Sequence, residues 1–243
     1  MQAVILAGGA GTRLRPFTLD TPKPMIDING KPFLYYIIKE LSRYGIKDYV
    51  FCVGYLADKF KEYFGDGSGM GIRIVYSIEN EFVGTGGALK IAESKLEDDF
   101  IAVNGDTYLP IDYSEVYERF KLSDKSGLIV VYDNKERIAE PNIALDEKGD
   151  VIAYNKKETL KMGDRTIKNR ARPNISCDYV DAGVQVFKKS VLDLIPSGKF
   201  VSLEVDIFPK LISKKELAAF VSSQRYFDLG TPERLEYIRG MLK

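Results

Sequence analysis

Residues 2–25, QAVILAGGAGTRLRPFTLDTPKPM, run from an unbroken stretch, Gln2 to Ala7, straight into Gly8, Gly9 and Gly11, then to Arg13 and a lysine, Lys23, set between Pro22 and Pro24. The apolar run is short enough for a strand, and the glycines leave a bend without side chains, so backbone N–H groups can approach an anion closely. Arg13 is the first cation placed to reach that anion, which makes a polyphosphate the expected guest. Two familiar loops are excluded. The NTPase phosphate loop needs Lys and then Ser or Thr after its last glycine, where this chain has Thr12 and Arg13; the dinucleotide fingerprint needs a third glycine or alanine where Leu14 stands. Alone, the glycine cluster is equally a tight strand-to-helix turn, so the rest of the chain has to decide.

Working outward, apolar runs at 2–7, 48–53, 72–77, 99–104 and 127–132 read as strands, with helical stretches between them at about 32–44, 56–64, 86–95 and 112–121. This alternation predicts a doubly wound, Rossmann-like α/β sheet with helices on both faces. Ligands of such sheets bind outside the carboxyl ends of the strands, which singles out loops 8–23, 78–86 and 104–109. After Asp133 the segments become short and polar-interrupted, with a turn expected at Glu147 to Asp150, and they read as antiparallel strands laid against the parallel sheet. A helix near 203–213, a strand LAAFVSS and a last helix from Pro232, with Thr231 as its N-cap, complete the chain. The basic stretch 156–175 lacks periodicity and is expected to be a loop. One domain is anticipated, with a first half over 1–133, a second half over 134–230 and a C-terminal helix over 231–243.

Composition narrows the chemistry. The chain has 243 residues, and its 35 Lys and Arg balance its 35 Asp and Glu, so no net field attracts nucleic acid or an anionic membrane and an anion site has to be local. No apolar run approaches the ~20 residues that span a bilayer, and no basic leader with a cleavage site opens the chain, so a cytoplasmic protein is expected. Cys52 and Cys177 lack metal-ligand spacing and read as reduced structural thiols. Histidine is absent altogether. That removes Ser-His hydrolases, His-ligated zinc and phosphohistidine chemistry together.

Side by side, the three loops carry the glycines with Arg13 and Lys23, then Glu79 and a helix opening GTGGA, then NGDTY with Asp106 at the strand end. An anion cradle, two cations, a helix N-terminus and a carboxylate on one sheet edge suit Mg²⁺ and a nucleoside triphosphate. The motifs LAGGAGTRLRP, TPKPM, NGKPFL, GTGGAL, NGD and FDLGTPER together resemble those of the sugar-1-phosphate nucleotidyltransferases, from the first strand to the last helix. The resemblance implies a doubly wound domain with an inserted antiparallel sugar-binding sheet. It also implies residue roles. The backbone of Leu6, Ala7, Gly8, Gly9 and Gly11, with Thr12, Gly84 and Thr85, would hold the nucleotide; Arg13 would take the β and γ phosphates and Lys23 the α phosphate. Asp106 and Asp228 would hold Mg²⁺, and Asn142, Lys157 and Asp181 the sugar phosphate. Read singly, Asp106 and Asp228 are equally helix N-caps.

The missing histidine fits this chemistry. A sugar 1-phosphate oxygen is already ionised at neutral pH, so its in-line attack on the α phosphorus needs alignment and charge neutralisation but no general base. By its offset from GTGGA, Glu79 corresponds to the base-reading position; a carboxylate pairs with guanine N1–H and N2–H₂, tolerates uracil and repels cytosine N3. The competing reading of Glu79 is an exposed glutamate in IENEF. The short chain and GTGGAL are most similar to heptose-1-phosphate guanylyltransferases, then mannose-1-phosphate guanylyltransferases. Two departures stand out: Lys156-Lys157 replaces Glu-Lys, and Asp181-Ala182-Gly183 replaces Asn-Ala-Gly. The implied partners are an NTP and a sugar 1-phosphate, with a homo-oligomer allowed. Uridylyl-, cytidylyl- or thymidylyltransferases, a non-catalytic nucleotide-binding module and a glycosyltransferase remain the alternatives; the last has no use for a triphosphate-gripping loop.

Overall fold

The computed structural model describes residues 1–155, 160–162, 165–167 and 175–242. Strands β1 (Gln2–Ala7), β2 (Asp48–Val53), β3 (Arg73–Ile78) and β4 (Asp99–Asn104) pair in parallel, with β2 and β4 flanking β1 and β3 outside β2. Each is followed by a helical crossover or loop, as the alternation predicts: α1 (Phe33–Ser42) leads into β2, α2 (Ala57–Phe64) into β3 and α3 (Gly84–Ala92) into β4. The apolar runs divide between the two faces by parity. Ala3, Ile5, Phe51 and Val53 join one core with Phe33, Leu34 and Ile37 of α1, whereas Val4, Val50 and Cys52 join a second with Ala88 and Leu89 of α3. Burial on both faces is why these strands read as nearly continuous apolar runs.

The second half is hydrogen-bonded into the same sheet. After α4 (Tyr113–Ser123), β5 (Gly127–Asp133) does not extend the parallel set. The ten-residue strand β8 (Tyr179–Lys188) lies between β4 and β5, antiparallel to both, while β6 (Ile143–Leu145) and β7 (Val151–Tyr154) form a hairpin beyond it. Strand β9 (Leu217–Ser222) pairs in parallel with β5, giving nine strands in one mixed sheet among the described residues. The expected turn is present: Gly149 donates its N–H to Asp146 O at 3.0 Å.

Two expectations change. Within 156–175, residues Leu160–Met162 and Arg165–Ile167 pair as an antiparallel ribbon. The pairing joins residues too few for the alternation of a strand to show in sequence. The helix expected near 203–213 is two elements, a π-helical turn over Leu203–Ile207 and α5 (Phe208–Ser213). Pro209, with no N–H to give to the preceding turn, stands at their junction. The last helix, α6 (Pro232–Met241), starts where expected, with Thr231 Oγ1 accepting from Arg234 N–H at 3.4 Å. Among the described residues no helix is long and apolar enough to cross a membrane.

Candidate active site

The carboxyl ends of β1, β3 and β4 bring the three loops into contact. Gly8 leaves β1 directly against Glu79, and a Cβ at Gly8 would collide with the Glu79 carboxylate. Glu79 is 6% exposed, which removes the reading of it as a surface glutamate. Its N–H donates to Val53 O at 2.8 Å, which fixes it at the end of β3. Burial pushes the carboxyl pKa up to about 7, and an N–H donated by Val83 offsets only part of that.

Beyond Gly8, the exposed Gly9 leads to a 3₁₀ turn, Thr12–Leu14, that is anchored by fully buried Leu14 and leaves Thr12 and Arg13 exposed. Gly11 O is held by Leu14 N–H at 3.0 Å and by the buried Thr18 hydroxyl at 2.9 Å. A second 3₁₀ turn, Lys23–Met25, follows Pro22 and contains Pro24. It buries the Lys23 side chain to 9% exposure and ion-pairs its ammonium with Asp106 Oδ2. The loop after β4 is locked to β1 in turn, because Gly105 N–H donates to Leu6 O at 3.0 Å.

Asp106 and Asp228 meet through a short ladder. Thr107–Tyr108 pairs antiparallel with Phe227–Asp228, placing Asp228 opposite Thr107, and Leu229 N–H donates to Asp106 O at 3.0 Å. Neither aspartate is a helix cap. Asp112 caps α4 by accepting from Ser114 and Glu115 N–H at 2.8 and 3.1 Å, and Thr231 caps α6. Two hard anionic oxygen donors on neighbouring strands are of the chemical kind that could be shared by Mg²⁺ with phosphate oxygens and water. No group of three or more such ligands occurs among the described residues.

The sugar half reaches the same place through β8. A bulge after Asp181 puts Gly183 at φ +75, a left-handed conformation open to glycine, and a Cβ there would stand 3.1 Å from Asn104 Nδ2 and 3.2 Å from Thr107 Oγ1. Asp181 accepts from the Tyr154 hydroxyl and from Gly183 N–H, both at 2.8 Å, and its own N–H donates to Asn142 Oδ1 at 3.0 Å. Asn142 and Asp181 are therefore neighbours, while Lys157 lies outside the described residues. Tyr226, which the motifs did not flag, lies close to both Asp228 and Asp181; burial first, then those carboxylates, raise its hydroxyl to about 12.

The opening of α3 is held by contacts within the fold. The Thr85 hydroxyl donates to Glu204 Oε2 at 3.1 Å and accepts from Leu203 N–H at 2.8 Å, while Gly86 and Gly87 N–H donate to Val201 O. Gly84 packs beneath Phe200 and Val201. This end of α3 is tied to the 200–204 segment, and Thr85 spends its hydroxyl there.

Residues 2–240 match the family model described as nucleotidyl transferase. The chain belongs to that family. It is 32% identical to the mannose-1-phosphate guanylyltransferase of Mycobacterium tuberculosis over 99% of this chain and 63% of the relative, so it spans less than two thirds of that protein. It is also 32% identical to the D-glycero-alpha-D-manno-heptose 1-phosphate guanylyltransferase of Aneurinibacillus thermoaerophilus, over 96% of this chain and 94% of the relative. HddC from Yersinia pseudotuberculosis, crystallised with GMP-PN, superposes with a TM-score of 0.78 at 30% identity, covering 100% of this chain and 99% of that one. Members of the nucleotidyl transferase family thus share this chain's fold along its whole length.

Proposed function

We propose that the protein transfers a guanylyl group from GTP to a sugar 1-phosphate of heptose or mannose type, releasing pyrophosphate and an NDP-sugar. The observation that carries this reading is the ion pair of buried Lys23 with the partly exposed Asp106, the ladder that sets Asp228 beside Asp106, and buried Glu79 against Gly8. Glu79 reads the base: its carboxylate accepts from guanine N1–H and N2–H₂, and uracil N3–H is the nearest substitute. Arg13, at the mouth of the loop, takes the β and γ phosphates, and Lys23 supplies its ammonium to the α phosphate.

Asp106 and Asp228 would hold Mg²⁺, which supplies charge neutralisation at the phosphates. Asn142, Asp181 and, in sequence, Lys157 lie on the sugar side and orient the incoming phosphate. Its ionised oxygen attacks the α phosphorus in line, so no residue here has to remove a proton, in keeping with a chain that has no histidine. The cytoplasm, where thiols such as those of Cys52 and Cys177 stay reduced, is the compartment this chemistry calls for.

The test is pyrophosphate release from GTP, UTP, CTP, dTTP and ATP, each paired with heptose, mannose, glucose and N-acetylglucosamine 1-phosphates. GTP with a heptose or mannose 1-phosphate is the productive pair expected. Turnover confined to CTP, or release of nucleoside diphosphate from a finished NDP-sugar, would overturn the reading.

A further inference from the structure

Asp228 has a partner that the reaction above does not use. Arg234, in the first turn of α6, ion-pairs through Nη1 with Asp228 Oδ2. The Asp228 backbone is held without this pair, because it is in register with Thr107 and the next residue, Leu229, is bonded to Asp106. The two basic partners of the two aspartates also differ in freedom. Lys23 is confined, its side chain 9% exposed, whereas the Arg234 side chain is 52% exposed and can withdraw into water. A dication approaching Asp228 therefore meets a guanidinium on one of the oxygens it would use, and like charges a few ångströms apart at a partly exposed site repel appreciably.

We propose that Arg234 is a displaceable counter-ion of Asp228 that competes with the divalent cation for this carboxylate and so weakens metal binding when no nucleotide is present. The inference rests on the reading of Asp106 and Asp228 as the metal-holding pair. Its consequence is an order of assembly. A triphosphate brings enough negative charge to offset Arg234, so the cation enters with the nucleotide in preference to preceding it. An arginine that instead positions Asp228 for the metal would act with the opposite sign, since its loss would weaken binding.

The experiment is Mn²⁺ titration of the nucleotide-free full chain, followed by the electron paramagnetic resonance of free Mn²⁺, for the parent, Arg234→Gln, Arg234→Lys and Asp228→Asn. At low salt Arg234→Gln should bind Mn²⁺ on the order of three- to tenfold more tightly than the parent, and Arg234→Lys should stay near the parent. The gain should shrink in 0.5 M KCl (roughly a 4 Å screening length), as a charge effect must. Unchanged or weaker Mn²⁺ binding by Arg234→Gln, in protein whose thermal melt matches the parent, overturns the proposal while Asp228→Asn still loses affinity. Should Asp228→Asn bind as the parent does, the metal-pair reading fails as well, and the two failures are told apart.

Discussion

Glu79 carries two consequences of a single burial. Its carboxyl is raised from 4.5 to about 7, so the folded state binds a proton more tightly than the unfolded chain does. The stability this group confers is complete below about 4.5 and is lost as pH rises toward 7. Glu79→Gln keeps an oxygen for the Val83 N–H and has no charge to lose, so between pH 5 and 8 the parent should lose about 2–3 kcal/mol relative to the variant. Urea unfolding of both proteins at the two pH values measures this. The same substitution turns an amide N–H₂ toward a base-edge donor, and preference for GTP over UTP should fall by about 1–3 kcal/mol in kcat/KM. Unchanged NTP preference would leave Glu79 a purely structural acid. Lys23 is the second residue whose setting predicts its effect. Lys23→Ala should lower kcat by roughly 10²–10³ and cost only about 1 kcal/mol of stability, because Asp106 keeps partial access to water. Near-parental kcat in the folded variant would remove Lys23 from the reaction.

At the level of elements, the helix that opens with GTGGA is held by its neighbour as much as by its own sequence. Val201 O takes two of its first N–H groups, and the Thr85 hydroxyl satisfies the N–H of buried Leu203, where the chain makes a π-helical turn. Thr85→Val keeps the shape and removes the hydroxyl, leaving Leu203 N–H unsatisfied. It should cost about 1–3 kcal/mol in urea unfolding, with KM for GTP within about twofold of the parent. A tenfold rise in KM at parental stability would return Thr85 to the nucleotide, where family resemblance alone had put it. The short ladder joining Thr107–Tyr108 to Phe227–Asp228 matters in another way. Two residues on each strand suffice to bring carboxylates more than a hundred positions apart onto one edge.

Across the whole molecule, the core and the candidate metal site are separate. The two apolar clusters lie on the faces of the sheet, whereas Asp106 and Asp228 stand at its edge, partly exposed. Removing divalent cations with EDTA should therefore abolish pyrophosphate release while shifting the thermal midpoint by less than about 2 °C, and Asp106→Asn and Asp228→Asn should each raise the Mg²⁺ concentration needed for half-maximal rate. Full activity in EDTA would refute the site. Much of this architecture was legible in the sequence. Strand and helix periods depend on residues a few positions apart, so the β1 to β5 runs and their helices could be read locally, as could the glycine loop and the cap at Thr231. What only the tertiary structure decided are pairings between distant segments: β8 entering between β4 and β5, Phe227–Asp228 laddered to Thr107–Tyr108, and Thr85 turned toward Leu203. None of these has a local signature. Each is set by which backbone N–H and C=O groups, and which charges, are left to be satisfied once the two apolar faces have closed.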